Sequence, residues 1–154
     1  MVEIRPAAPA DIGPIRQLLV DSRLPVERLD ANVEFFVARQ RGAGATQLAG
    51  CVGLERHGSS GLLRSLAVDA AQRGQGISRK LVEVLFERAR DMGVTEIVIL
   101  TTDAVDYFRR MGFAVIPREE VTPAVRDSWQ FAAQVCESAA CLRLVLEPGT
   151  RNVS

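Results

Sequence analysis

The chain has 154 residues, a length typical of one domain that buries its own core without disulfides or metals. Its 19 basic and 19 acidic residues balance, so no net charge favours nucleic acid or an anionic membrane, and a small molecule is the expected partner. The cysteines Cys51, Cys136 and Cys141 and the single histidine, His57, have no metal-ligand spacing, which argues against a structural zinc site.

The N-terminal residues lack the basic and then apolar pattern of a secretory leader, and no later stretch is apolar for long enough to cross a bilayer. We therefore expect a cytoplasmic protein in a reducing compartment. Its cysteines could bind arsenic through thiolates, but free cysteine is among the most frequently buried residue types, and we expect core packing.

The chain opens with the pattern of a strand followed by a helix. Residues 1–8 predict a short strand, and Pro9–Asp11 are residue types that precede helices. Apolar residues then recur at helical spacing, at Ile12, Ile15, Leu18 and Leu19.

Three β-rich runs follow and predict a meander of three strands: Val33–Arg39, Gln47–Glu55 and Leu62–Val68. Gly42–Gly44 and Gly58–Gly61 lie between them, and such small, conformationally free residues suit hairpin connections.

The pattern changes period after the third of these strands. Gly93 is placed to end a helix, one face of which is lined by Ile77, Leu81, Leu85 and Ala89. The remaining elements are expected at Ile97–Leu100 (a strand covered on both faces), Ala104–Met111 (a helix stopped by Gly112), Phe113–Ile116 (a strand), Pro123–Val135 (a helix) and Cys141–Leu146 (an alternating strand). This order predicts a mixed α/β sheet in a single domain over residues 1–147, with a loose tail at 148–154.

The most informative segment runs from Leu63 to Phe113. A strand ending in Leu66-Ala67-Val68 leads to Arg73-Gly74-Gln75-Gly76-Ile77-Ser78 and then to a helix. Glycines there let a pyrophosphate approach the backbone, and the N–H groups of the helix start can donate to it. A Rossmann site is excluded, because its loop follows the first strand and this one follows the fourth.

This segment resembles the acyl-CoA signature of the GNAT N-acetyltransferases, Gln/Arg-x-x-Gly-x-Gly/Ala, with Ser78 in place of the last glycine or alanine. The resemblance implies a mostly antiparallel sheet of six or seven strands, splayed between the fourth and fifth, with helices on both faces. It implies acetyl-CoA as co-substrate and no metal. The implied cofactor-binding residues are Leu66, Ala67, Val68, Arg73, Gly74, Gln75, Gly76, Ile77, Ser78, Arg79 and Phe108.

The helix before Gly112 carries a second resemblance, to the GNAT segment that ends in Tyr-x-x-x-Gly-Phe. Here Phe108 occupies the usual tyrosine position, and Tyr107 lies one residue earlier, about 100° further round a helix. Either Tyr107 is the general acid or no acid is used. We expect no acid, because a thiolate is a fair leaving group that water can protonate.

Within the family, GLERHG, LLRSLAV, LTT and CESAACLRLVL resemble the arsenic-resistance N-acetyltransferases and, more distantly, the acetyl-glutamate synthase domain. The implied acceptor is the amine of a small molecule, an amino acid or an arsenic-containing analogue, acylated by direct transfer in a ternary complex. A glutamate-type acceptor, a protein acceptor, a non-catalytic acyl-CoA-binding module and a homodimer stay open.

Several further side chains bear on the acceptor side of the site. Glu55 is the expected general base, acting through one water, with a solvent-facing strand end as the alternative. Arg64 interrupts an apolar strand, so it binds either a substrate carboxylate or a structural ion-pair partner. Trp129, with Phe131, either walls the acceptor pocket or packs in the core. His57 is expected in a solvated loop.

Overall fold

The computed structural model describes residues 2–24, 26, 33–40, 48–121, 125 and 139–147. The expected turn at Gly42–Gly44, the helix Pro123–Val135 apart from Val125, and the tail 148–154 lie outside the described residues. Trp129, Phe131 and Cys136 lie outside them as well.

The described elements, in chain order, are β1 (Val2–Pro6), α1 (Ile12–Asp21), β2 (Val33–Gln40), β3 (Gly50–His57), β4 (Ser60–Val68), α2 (Ile77–Asp91), β5 (Glu96–Thr101), α3 (Val105–Arg110), β6 (Ala114–Ile116) and β7 (Ala140–Val145). Short 3-10 turns occupy Pro9–Asp11, Ala70–Gln72 and Arg118–Glu120. These elements match the expected ones in type and order, with ends that differ by a few residues. One expectation was wrong: His57 is the last residue of β3 and is half-buried, because the strand continues to a two-residue hairpin.

Among the described residues, seven strands form a mixed sheet in the order β1-β2-β3-β4-β5-β7-β6. The pairs β1–β2, β2–β3, β5–β7 and β6–β7 are antiparallel. β4 and β5 are parallel, and their ladder joins Ser60–Leu62 to Glu96–Val98. The expected mixed α/β sheet is confirmed, whereas its splay between β4 and β5 stays a prediction.

The chain divides into two compact units, of which the first comprises residues 1–55 and 64–88. Its core lies between α1 and the strands, with Ile15, Leu19, Val37 and Cys51 fully buried. Asp11 is also buried, and its carboxylate accepts hydrogen bonds from the backbone N–H of Ala8, from Arg5 and from Arg39 rather than capping α1.

Helix α2 shows the expected amphipathic pattern. The residues predicted to line its inner face are all buried: Ile77, Leu81, Leu85 and Ala89. The helix ends two residues before Gly93, which has φ +82° and donates its N–H to the carbonyl of Arg90. The apolar period therefore located this helix, and the glycine located its end.

The second unit comprises residues 56–63 and 89–154 as far as they are described. Its core includes Leu62, Val98, Leu100 and Cys141, and β5 is buried along its four central residues, as expected for a strand covered on both faces. β7 does not alternate strictly, since Cys141 and Leu142 are both buried and the three residues after them are not. The expectation of a single domain stays a prediction.

Candidate functional site

The glycine-bearing loop lies between β4 and α2, as expected. Two glycines in it have positive φ, +85° at Gly74 and +76° at Gly76. The carbonyl of Gly76 accepts a hydrogen bond from the N–H of Lys80, at 3.2 Å, which begins the helical bonding of α2. The first N–H groups of any helix lack an acceptor in a preceding turn of that helix, so the start of α2 suits an anion that accepts hydrogen bonds from the backbone.

Open space, rather than crowding, surrounds these two glycines. A Cβ placed on Gly74 or Gly76 would meet no heavy atom within 4 Å. Neighbouring side chains therefore do not require glycine here, but the left-handed backbone does. The same absence of side chains leaves the loop backbone accessible to a ligand.

Positive charge surrounds the same loop. Arg73, Arg79 and Lys80 are all exposed. Arg73 donates from Nε to the carbonyl of Val68 at 3.2 Å, so this side chain folds back on the end of β4. Ile77 is 2% exposed, and its side chain anchors α2 in the core, which leaves its backbone as the part that can contact a ligand.

The last residues of β4 adjoin an irregular backbone position. Ser65 has φ +60°, and it is followed by Leu66, Ala67 and Val68, of which only Ala67 is buried. Cys51 on β3 donates from its thiol to the carbonyl of Ser65 at 3.3 Å. Burial raises the pKa of this thiol to about 12, against the smaller lowering effect of a hydrogen bond from the backbone of Ala67. Sequence reasoning missed this feature, because serine gives no signal for a positive φ.

Glu55 and Arg64 are brought together as a buried ion pair. Arg64 Nη1 lies 2.7 Å from Glu55 Oε2, and the two side chains are 3% and 8% exposed respectively. Arg64 Nε also donates to Ser65 Oγ at 3.1 Å. These contacts supply the acceptors that a buried guanidinium requires, so the geometry favours the structural alternative for Arg64. Base catalysis by Glu55 stays a prediction.

Tyr107 and Phe108 lie on α3, in the second unit. Phe108 is buried, and its ring packs edge to face against Tyr107 and Phe113, with ring centroids 5.1 Å and 5.6 Å apart. Phe108 thus has a core-packing role that the sequence did not reveal. Its predicted contact with the co-substrate and the acid role of Tyr107 stay predictions.

Two other expectations concern metal and membrane. Within the described part of the chain, no three or more His, Cys, Asp or Glu side chains are grouped so that they could hold a metal ion. In that same part, no helix combines the length and the apolar character needed to span a bilayer. Cys51 and Cys141 are free and buried, as expected.

The mixed sheet and the glycine-bearing loop before α2 are compatible with a protein that binds an anionic co-substrate. A family model described as acetyltransferase (GNAT) domain matches residues 31–115. The chain therefore belongs to the GNAT acetyltransferase family.

Similar proteins agree with this assignment. An amino-acid acetyltransferase of Mycobacterium tuberculosis is 32% identical over 133 residues, which are 80% of this chain and 75% of the relative. Glucosamine 6-phosphate N-acetyltransferase 1 of Oryza sativa is 30% identical over 131 residues, 71% of this chain and 79% of the relative. The chain spans 27% of the length of the Pseudomonas putida amino-acid acetyltransferase that it matches.

A solved structure shows that the likeness includes the three-dimensional fold. A Mycobacterium tuberculosis protein crystallised in complex with CoA has a TM-score of 0.76 and 27% identity, and the match covers 94% of this chain and 99% of that one. The protein is thus an N-acetyltransferase that uses acetyl-CoA.

Proposed function

We propose that this enzyme acetylates the α-amine of a free amino acid, in the cytoplasm, by direct transfer from acetyl-CoA. The observation that carries the proposal is the 32% identity to an amino-acid acetyltransferase, which extends over 80% of this chain. The 30% identity to a glucosamine 6-phosphate acetyltransferase makes an amino sugar phosphate the second candidate acceptor.

The proposed binding mode for acetyl-CoA rests on the first unit. The helix start at Ile77–Arg79 and the glycines before it hold the pyrophosphate, and Arg73 and Arg79 add positive charge. The peptide groups of Leu66–Val68 hold the pantetheine arm. On binding, Arg73 exchanges its contact with the Val68 carbonyl for the phosphates, because the charge-assisted bond is the stronger of the two.

The proposed reaction is a single displacement. The neutral amine attacks the acetyl carbonyl carbon, a C–N bond forms and the C–S bond breaks. Before the attack, Glu55 takes one proton of the ammonium group through a water molecule. As the amide forms, its nitrogen loses a second proton, which passes through water to the departing thiolate of CoA. This scheme leaves Tyr107 without a role as acid.

The role of Glu55 is tested by Glu55→Gln, which keeps an oxygen acceptor for Arg64 and removes the base. We expect turnover to fall by on the order of 10²–10⁴. A folded variant with wild-type turnover would assign the proton transfer to another group.

The acceptor is tested by following thiol release from acetyl-CoA with a panel of amines. The panel pairs each amino acid with the amine formed by its decarboxylation, and it adds glucosamine 6-phosphate and arsenic-containing amino acids. We expect kcat/KM to be at least about tenfold higher for an amino acid than for its decarboxylated partner, the value of one charge-assisted contact.

The same panel separates the alternatives. Preference for glucosamine 6-phosphate would refute the amino-acid proposal. Preference for an arsenic-containing amino acid over its arsenic-free counterpart would support the narrower prediction drawn from the sequence, that the enzyme serves arsenic resistance.

A further inference from the structure

An unusual backbone conformation occurs within β4, directly before the residues proposed to hold acetyl-CoA. Ser65 has φ +60°, and the other described non-glycine residue with positive φ, Arg23, lies in the turn after α1. Non-glycine residues avoid this region of φ, and one inside a strand persists only where its surroundings hold it there.

Two buried groups contact Ser65 from different sides. The thiol of Cys51 donates to its carbonyl oxygen at 3.3 Å and accepts a hydrogen bond from the backbone of Ala67. Arg64 Nε donates to its hydroxyl oxygen at 3.1 Å, while Nη1 of the same guanidinium is fixed by Glu55 at 2.7 Å. Backbone, thiol and ion pair therefore meet at one residue.

The state of the thiol fits this arrangement. With its pKa raised by burial to about 12, Cys51 keeps its proton at neutral pH and remains a donor. A buried thiolate could not donate to a carbonyl and would be repelled by it. The ion pair likewise keeps the Arg64 side chain, which is 3% exposed, in one orientation.

We infer that Cys51 and Arg64, the latter fixed by Glu55, are positioning residues, which hold Ser65 in its left-handed conformation and so aim the peptide groups of Leu66–Val68 at acetyl-CoA. The inference rests on the proposed placement of acetyl-CoA along these residues. Peptide groups alternate in direction along a strand, so a change of conformation at residue 65 would re-aim the groups that follow it.

The test compares steady-state kinetics of Cys51→Ala with those of Cys141→Ala. Both changes remove a buried sulfur atom, but Cys141 lies on β7 and has no part in the network around Ser65. For Cys51→Ala we expect KM for acetyl-CoA to rise about three- to tenfold, the range for one lost hydrogen bond. We expect kcat at saturating acetyl-CoA and KM for the acceptor to stay within about twofold of wild type. Cys141→Ala should leave all three constants within the same limits.

Rescue provides a readout that loss of stability alone would not give. Glycine adopts positive φ without steric cost, so Ser65→Gly added to Cys51→Ala should lower KM for acetyl-CoA again by at least about half of the increase. A wild-type KM in Cys51→Ala, an equal increase in Cys141→Ala, or no rescue by Ser65→Gly would each overturn the inference.

A second variant covers the case in which Cys51→Ala does not fold. Ser65→Ala removes only the hydroxyl that Arg64 binds, and calorimetry then measures the affinity of this variant for acetyl-CoA directly. Weaker binding supports the inference, and wild-type binding overturns it.

The failure of this inference is distinguishable from failure of the proposed binding mode. If Gly76→Asp weakens the binding of acetyl-CoA while Cys51→Ala and Ser65→Ala do not, only the positioning role is refuted. If none of the three variants weakens this binding, the proposed placement of acetyl-CoA is refuted as well.

Discussion

Replacing Gly76 by aspartate tests the proposed acetyl-CoA loop most directly. A side chain at this position would meet no protein atom within 4 Å, but it must adopt φ +76°. That conformation costs a non-glycine residue roughly 1–2 kcal/mol. A carboxylate at a helix start interacts favourably with the helix dipole, which offsets about 0.3–1 kcal/mol of this backbone cost. The variant should therefore fold, with a net loss of about 1 kcal/mol.

The effect of Gly76→Asp on the affinity for acetyl-CoA follows from the negative charge of the new side chain. A carboxylate about 4 Å from a phosphate oxygen is repelled by about 1 kcal/mol in water and about 4 kcal/mol at an effective dielectric constant of 20. The dissociation constant should then rise between about fivefold and several hundredfold. Calorimetry at two ionic strengths measures this, and added salt should narrow the gap to wild type because it screens the repulsion.

Gly93→Asp is the matched control. Gly93 has φ +82° and equally open surroundings, but it lies beyond the C-terminal end of α2. The backbone cost is similar, and a carboxylate at this end of a helix costs roughly 0.3–1 kcal/mol more. We expect Gly93→Asp to be the less stable variant and to bind acetyl-CoA like wild type. Equal affinities of the two folded variants for acetyl-CoA would refute the reasoning.

Three further predictions concern the general acid, the packing around two glycines and the thiol of Cys51. Tyr107→Phe should change turnover by less than about threefold, and a selective loss on the order of a hundredfold would show that Tyr107 is the acid. In urea unfolding, Gly50→Ala should lower the free energy of unfolding by about 1–3 kcal/mol, because its Cβ would lie 3.0 Å from the Ala67 carbonyl oxygen. Gly13→Ala lies at an exposed helical position with open space, and it should raise the free energy of unfolding by up to about 1 kcal/mol. Changes of the same sign in the two variants would contradict this prediction. The raised pKa of Cys51 contributes stability that is complete below the pKa of the unfolded thiol and is lost as the pH rises towards about 12. Above pH 9, the free energy of unfolding of wild type should therefore fall more steeply than that of Cys51→Ala, by up to about 1.4 kcal/mol per pH unit. Parallel stability curves for the two proteins would refute this prediction.

Local patterns in the sequence predicted the regular elements well. The period of Ile77, Leu81, Leu85 and Ala89 located α2, because a helix that packs on a sheet needs one apolar face. The continuous apolar run within Ile97–Leu100 identified β5 because a strand buried on both faces excludes polar residues. The loop at Arg73–Ser78 was identified because few residue types permit its backbone.

Contacts between strands were beyond the reach of such patterns. Glu55 and Arg64 were given separate roles, one as base and one as a substrate contact, and the structure joins them in an ion pair. Which residues meet across two strands depends on the register of the strands, and Ser65, whose φ is +60°, lies between these residues and the expected loop. The burial of Phe108 among aromatic neighbours likewise depends on the packing of α3 and not on its spacing from Gly112.

The carboxylate of Asp11 joins three parts of the first unit, since it binds Arg5 of β1, Arg39 of β2 and the backbone of Ala8 between β1 and α1. Burial raises the pKa of Asp11, but the hydrogen bonds from Ala8, Arg5 and Arg39 more than offset this and hold the pKa below its ordinary value of 3.8. Its contribution is therefore present above that value and is lost as the pH falls through the lowered one.

β1 is the terminal strand of the sheet, and β2 behind it carries Phe35, Phe36 and Val37. Protonation of Asp11 removes its attraction to Arg5 and Arg39 and so weakens the attachment of β1. Detachment of β1 would leave β2 as an apolar edge with unpaired backbone groups, which is a template for chain-to-chain pairing. One carboxylate at the margin of the sheet thus favours the dispersed form of this enzyme over its aggregates.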